Sequence, residues 1–133
     1  MHTNNFAQRS LTELDFTRVS KLNRGQLPEE LVEDLNSADL VHSQEISPDV
    51  VTMNSQVEIV FDGSEIHQKF TICYPADVDP GLGFISVLSP VGAALLGRRV
   101  GDTVSWQMPR GEECYARVTA ILFQPEASGD YTT

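Results

Sequence analysis

The hydrophobic period of this chain changes once, close to residue 50, and that change limits what the chain can fold into. Before it, apolar residues recur at helical spacing. After it, they alternate or run together over strand lengths rich in Val, Ile, Phe, Tyr, Trp and Thr. In "SLTELDFTRVSKLN", Ser10 followed by Glu13 makes a capping-box start, and Leu11, Leu14, Val19 and Leu22 fall on one side with Phe16 off the stripe. The spacing predicts a helix over 11–22. Asn23, Arg24 and Gly25 break it, and "QLPEELVEDLNSADLV" restarts it with Pro28 at the first helical position. Glu29 and Glu30 follow in the first turn, where carboxylates complement the positive end of the helix dipole. Leu31, Leu35 and Ala38 form the second stripe, broadened by Val32 and Val41. Two antiparallel helices in a stubby hairpin are the simplest outcome, with Pro48 as the boundary beyond.

Past the change, "SQVEIVFD", "HQKFTICYPA", "GFISVLS", "DTVSWQMPRG" and "EECYARVTAILFQ" read as five strands. Turn chemistry separates them: "DGSE", "DPGLG", "GD" and "PRG", the last joining two strands as a hairpin. Between the third and fourth strands lies "SPVGAALLG". Ser89 fits the N-cap, Pro90 the first helical residue, and Gly97 the position past the end where a left-handed backbone costs least. So short a helix cannot hold itself in water and needs Val91, Leu95 or Leu96 packed on the sheet. The fold class is therefore α+β: a short N-terminal helical hairpin over 1–46, then an antiparallel β-sheet domain with one short helix over 47–133. The tail "PEASGDYTT" reads as irregular and exposed.

A chain of 133 residues has room for one core with an arm beside it. Its formal charge of -10, shared equally between residues 1–50 and 51–133, argues against stable direct binding of nucleic acid by a cationic surface. Such acidity fits a partner that presents positive charge. No stretch is long and apolar enough for a signal peptide or a membrane span, so the expectation is a cytoplasmic protein with no membrane partner. Cys73 and Cys114, 41 residues apart in apolar runs, suggest reduced, buried thiols.

"SPVGAALLGRRVGDTVSWQMPRG", together with "SPDVVTMNSQV", "YPA" and "FQPEASGDY", resembles the Gre-type transcription elongation factor family. Within it, the blocks are most similar to the short-armed branch of nucleoside diphosphate kinase regulators. They span residues 47–131 in order; the first 46 residues match only in layout. The resemblance implies an FKBP-like globular domain beside a truncated coiled coil, and RNA polymerase as partner, bound at the rim of its secondary channel. Carried over, the docking surface falls on Ser89, Pro90, Val91 and Gly92, with Arg98 and Arg99 as polar neighbours. Leu95 and Leu96 belong to the core, and the arginines are equally readable as solvated.

Gre factors promote transcript cleavage through an acidic tip that helps hold a second Mg²⁺. Their "Asp-x-x-Glu-Asn-x-x-Tyr" tip has no counterpart between residues 20 and 40; "RGQLPEELVED" offers Glu29 and Glu30 instead. At 1.5 Å per residue the first helix would reach only about 18 Å, short of a deep channel. The expectation is a monomeric, non-enzymatic occupant of the Gre site, with no catalytic residues, metal or cofactor, acting on the kinase indirectly. An active cleavage factor with Glu29 and Glu30 as its tip, and an FKBP-like module for another partner, are the alternatives. Prolyl isomerase activity would need a concave aromatic pocket, whereas Phe61, Phe70, Tyr74, Phe84, Trp106, Tyr115 and Phe123 read mostly as core. His2, His42 and His67 are scattered, and "GLG" at 81–83 lacks the helix a phosphate loop requires.

Overall fold

The computed structural model describes residues 9–22, 27, 29–108 and 110–131, Glu30 by its backbone alone. The chain runs through β1 (Ser10–Thr12), α1 (Glu13–Ser20), α2 (Glu29–Ser37), β2 (Asp39–Val41), β3 (Gln56–Phe61), β4 (His67–Cys73), β5 (Phe84–Ser86), α3 (Pro90–Leu95), β6 (Thr103–Gln107) and β7 (Glu113–Phe123). The five strands read from the sequence form one sheet in the order β5-β4-β3-β7-β6. Two register shifts between β3 and β7, at Gln56/Val57 and Glu58/Ile59, add local twist and curl the sheet. β6 and β7 pair as the hairpin expected across residues 108–112, Pro109 lying outside the described residues.

The sheet is not wholly antiparallel. β4 and β5 pair in parallel, Thr71 opposite Phe84 and Cys73 opposite Ser86. The intervening segment is too long for a tight turn: it coils through two 3-10 turns, Pro75–Asp77 and Pro80–Leu82, and returns the chain to run beside β4 in the same direction.

The N-terminal segment also departs from its local pattern. Ser10 does not cap a helix but lies in β1, which pairs in parallel with β2 (Ser10 opposite Asp39, Thr12 opposite Val41), and its N–H donates to Gly97 O at 3.1 Å. Tertiary pairing thus takes precedence over the capping box, and the cap passes to Thr12, whose hydroxyl accepts from Asp15 N at 3.0 Å. α1 is accordingly shorter than 11–22, and its buried stripe is Asp15 and Val19, with Leu14 only half-buried. Residues 23–26 and Pro28 lie outside the described residues. Leu31 and Leu35 of α2 are buried as their spacing required.

One apolar cluster joins both parts of the chain. Leu11, Val19, Leu31 and Leu35 pack in the same core as Val57, Ile59, Ile72, Leu95, Leu96 and Val118. Trp106 is buried and meets Phe61 edge-on, the ring centroids 5.7 Å apart. Tyr115 and Phe123, read as core, are exposed, both toward the ends of β7. The tail is not uniformly exposed either. Pro125 and Glu126 are buried, because the preceding Gln124 is anchored by its Nε2 donating to Ser47 O and Val50 O, both at 2.8 Å, and Glu126 accepts from Thr52 Oγ1; residues 127–131 are exposed.

Candidate functional site

α3 is built by its own sequence. Ser89 Oγ donates to Ser86 O at 2.6 Å and accepts from Gly92 N at 3.1 Å, so the hydroxyl is fully used as a cap. Pro90 takes the first helical position, where its missing N–H costs nothing. Gly92 is required by closeness rather than by dihedral angle: a Cβ there would lie 2.2 Å from Ser86 O. Gly97 ends the helix at φ +79°.

The C-terminal end of α3 is held by a residue the sequence did not single out. Arg9 is buried, and its guanidinium donates to Ala93 O and Leu96 O, satisfying helix carbonyls that lack intrahelical partners. The same guanidinium reaches Asp34 Oδ2 of α2 through Nε at 2.8 Å. Arg98 joins the same carboxylate oxygen through Nη2 at 3.2 Å. Arg99 donates to Asp49 Oδ1 at 3.1 Å and to Ser10 Oγ at 3.2 Å. Neither arginine is simply solvated: Arg98 ties α3 to α2, and Arg99 ties the turn after α3 to β1 and to Asp49. Of the residues named for docking, Pro90 and Arg99 are exposed, Ser89, Val91 and Arg98 half-buried, and Gly92 buried.

Glu29 is exposed at the start of α2, while the side chain of Glu30 lies outside the described residues. Glu29 also borders a cavity of about 290 Å³ between α2, α3 and β6, where Leu31, Pro90, Ala93 and Trp106 are among the lining residues. Trp106 is the one aromatic in that lining. Among the described residues no group of three or more His, Cys, Asp or Glu is placed to hold a metal. His67 pairs with Glu58 at 3.0 Å and His42 with Glu13 at 2.9 Å; His2 lies outside the described residues. Both cysteines are free: Cys73 is buried, its thiol donating to Ile85 O at 3.3 Å and pushed up by desolvation, and Cys114 is half-buried. No helix among the described residues is long and apolar enough to cross a membrane.

A second polar cluster, also absent from the sequence reading, surrounds Asp15. This carboxylate is 1% exposed and accepts from Met53 N at 3.0 Å. Desolvation is the main cause that pushes it up to about 7, and the charge of Glu126 adds to it. Glu126 accepts from Thr52 Oγ1 at 2.7 Å, and Thr52 Oγ1 also meets Ser55 Oγ at 2.8 Å. Nothing local could have revealed these partners, since Asp15 and Met53, or Thr52 and Glu126, are brought together only by the fold.

The comparisons with known proteins agree with this architecture. The family "Transcription elongation factor, GreA/GreB, C-term" matches residues 45–123. The "Regulator of nucleoside diphosphate kinase" of Escherichia coli K12 is 43% identical over 100 residues, 74% of this chain and 72% of that protein. The "Transcription elongation factor GreA" of Desulfovibrio desulfuricans is 44% identical over 70 residues, 53% of this chain and 43% of the relative. A solved GreA/GreB elongation factor from Nitrosomonas europaea superposes with a TM-score of 0.72 at 34% identity, covering 88% of this chain and 99% of that one. With its curled five-stranded sheet, the capped α3 and a match that spans both, the chain belongs to the GreA/GreB family of transcription elongation factors.

Proposed function

We propose that this protein binds RNA polymerase at the site Gre factors use, the rim of the secondary channel, and regulates transcription there without promoting transcript cleavage. The observation that carries this reading is the shortness and attachment of the N-terminal arm. α1 has 8 residues and α2 has 9, about 12 and 14 Å of helix. β1, Arg9 and Asp34 fasten that arm to α3 and the turn after it, so it has little helix left to project. Docking falls on the exposed Pro90 and Arg99 with Val91 between them, while Ser89, its hydroxyl used as the cap, the buried Gly92, and Arg98, committed to Asp34, shape the corner. The relative's name points to nucleoside diphosphate kinase; we read that regulation as indirect, exerted through transcription. The acids at Glu29 and Glu30 serve as helix-start carboxylates or touch the channel wall. The protein works as a cytoplasmic monomer, its two parts dividing near residue 46 into arm and FKBP-like body.

The test is retention by core polymerase, competition with a Gre factor, and RNA length in backtracked complexes. The expected result is retention, displacement by excess Gre factor and unshortened RNA. Pro90→Glu, at an exposed first-turn position that tolerates an acid, should lose retention at unchanged thermal stability. Shortened RNA would establish the cleavage reading instead, and retention of Pro90→Glu at wild-type strength would remove the α3 corner from the interface.

A further inference from the structure

The Asp15 cluster joins three stretches of chain that are remote in sequence. Asp15 comes from α1, Thr52, Met53 and Ser55 from the turn before β3, and Glu126 from the C-terminal 3-10 turn. One oxygen of Asp15 takes the Met53 N–H; the other, Oδ1, is buried with no hydrogen-bond partner. Glu126 is 8% exposed. Two carboxyl groups this buried, bound to the adjacent residues Met53 and Thr52, are poorly held when both are ionised. The other groups that face Asp15 do not cancel this. The Met53 N–H and the Thr12 hydroxyl favour the carboxylate and Arg18, on the same helix, favours it least of all, yet burial outweighs them, and Tyr74, itself pushed up to about 12 mainly by burial, stays neutral. A carboxyl that keeps its proton leaves one charge in the cluster instead of two and turns an acceptor-only group into a donor.

We infer that Asp15 and Glu126 form a pH-responsive clasp between the arm, the 52–55 turn and the C-terminal turn, closed when the pair holds one proton and strained when it holds none. The inference does not depend on the partner proposed above. The direction follows from linkage. Asp15 keeps its proton to about pH 7 in the folded chain and releases it near its ordinary value of 3.8 when unfolded. Its contribution is therefore fully present below that ordinary value and is lost as pH rises through about 7. At the steepest part, one proton of difference changes the folding constant by up to about tenfold per pH unit.

The experiment compares wild type, Asp15→Asn and Glu126→Gln in the full-length chain, by urea unfolding from pH 4.5 to 8.5, amide exchange in α1, and the carbon-13 titration of the Asp15 carboxyl. Asn and Gln keep an acceptor for Met53 N and Thr52 Oγ1. In wild type the urea midpoint should fall with rising pH relative to Asp15→Asn, and exchange in α1 should accelerate more than in β3. Glu126→Gln should move the carboxyl titration of Asp15 to lower pH by removing the neighbouring charge. Equal pH dependence in wild type and Asp15→Asn would overturn the clasp, as would an Asp15 titration that Glu126→Gln leaves in place. If Asp15→Asn fails to fold, the titration in wild type and Glu126→Gln decides alone: a wild-type carboxyl titrating near the ordinary aspartate value refutes it.

Discussion

Gly92 shows how much a single position decides. Alanine is normally the better helix residue by about 1 kcal/mol, yet here its methyl would meet the Ser86 carbonyl oxygen at 2.2 Å, and neither backbone can yield without disturbing α3. The clash should prevail. Gly92→Ala is expected to destabilise the protein by about 1–3 kcal/mol, read as a lower urea midpoint at unchanged slope. Ser89 makes a companion case. Ser89→Ala removes the acceptor for Gly92 N–H and should cost about 1 kcal/mol. Ser89→Asp, ordinarily a good cap, should not restore it, because Ser86 O at 2.6 Å would then face an oxygen with no proton to give. Thermal melts of the three variants check the order. Ser89, Pro90 and Gly97 were legible in the sequence because a cap, a proline and a helix-ending glycine are steric statements made within a few residues of where they act, whereas the closeness that demands Gly92 appears only once α3 is packed against Ser86. Arg9 was not, since its partners at Asp34, Ala93 and Leu96 stand 25, 84 and 87 positions away.

Among the elements, the five strands and α3 came through the sequence in their places, though β4, β5 and β6 are shorter than the runs that announced them, because alternation and turn chemistry persist whatever packs against them. The arm was less legible for a definite reason. Its capping box was genuine as a pattern, but β1 had a better use for Ser10, and a three-residue parallel pairing carries no periodic signal to weigh against a helix. The direction of β5 was equally silent: strand propensity says where a strand is, and only the 74–83 connection says which way it returns. Asp34 links the elements that local pattern could not connect. Its carboxylate receives Arg9 from β1's leading edge and Arg98 from the turn after α3, and the Arg9 side chain is only 3% exposed. Asp34→Ala leaves that buried cation without its carboxylate. Since Asp34 is itself 38% exposed, water softens the loss, and a destabilisation of about 1–3 kcal/mol is expected. Arg98→Ala, which spares the Arg9 contact, should cost less; chemical denaturation of the two variants side by side measures the difference.

At the scale of the whole molecule the arm and the body share one core. Leu31, on α2, is completely buried in the cluster that also holds Ile59, Leu95 and Val118, and it lines the same cavity as Trp106. An appendage with its own small core would melt separately from the sheet, whereas elements that bury one another must lose their packing together. Leu31→Ala should therefore destabilise more than α2. Deleting a fully buried leucine costs about 2–5 kcal/mol, and the loss should appear at the same urea concentration by fluorescence of Trp106, the chain's single tryptophan in β6, and by far-ultraviolet circular dichroism, to which α1 and α2 contribute. Coincident transitions, shifted together by the substitution, are the expected result. If the helical signal were lost first while Trp106 stayed native, the arm would be a separate unit, free to pivot on the body, and the attachment through β1, Arg9 and Asp34 would no longer account for its position.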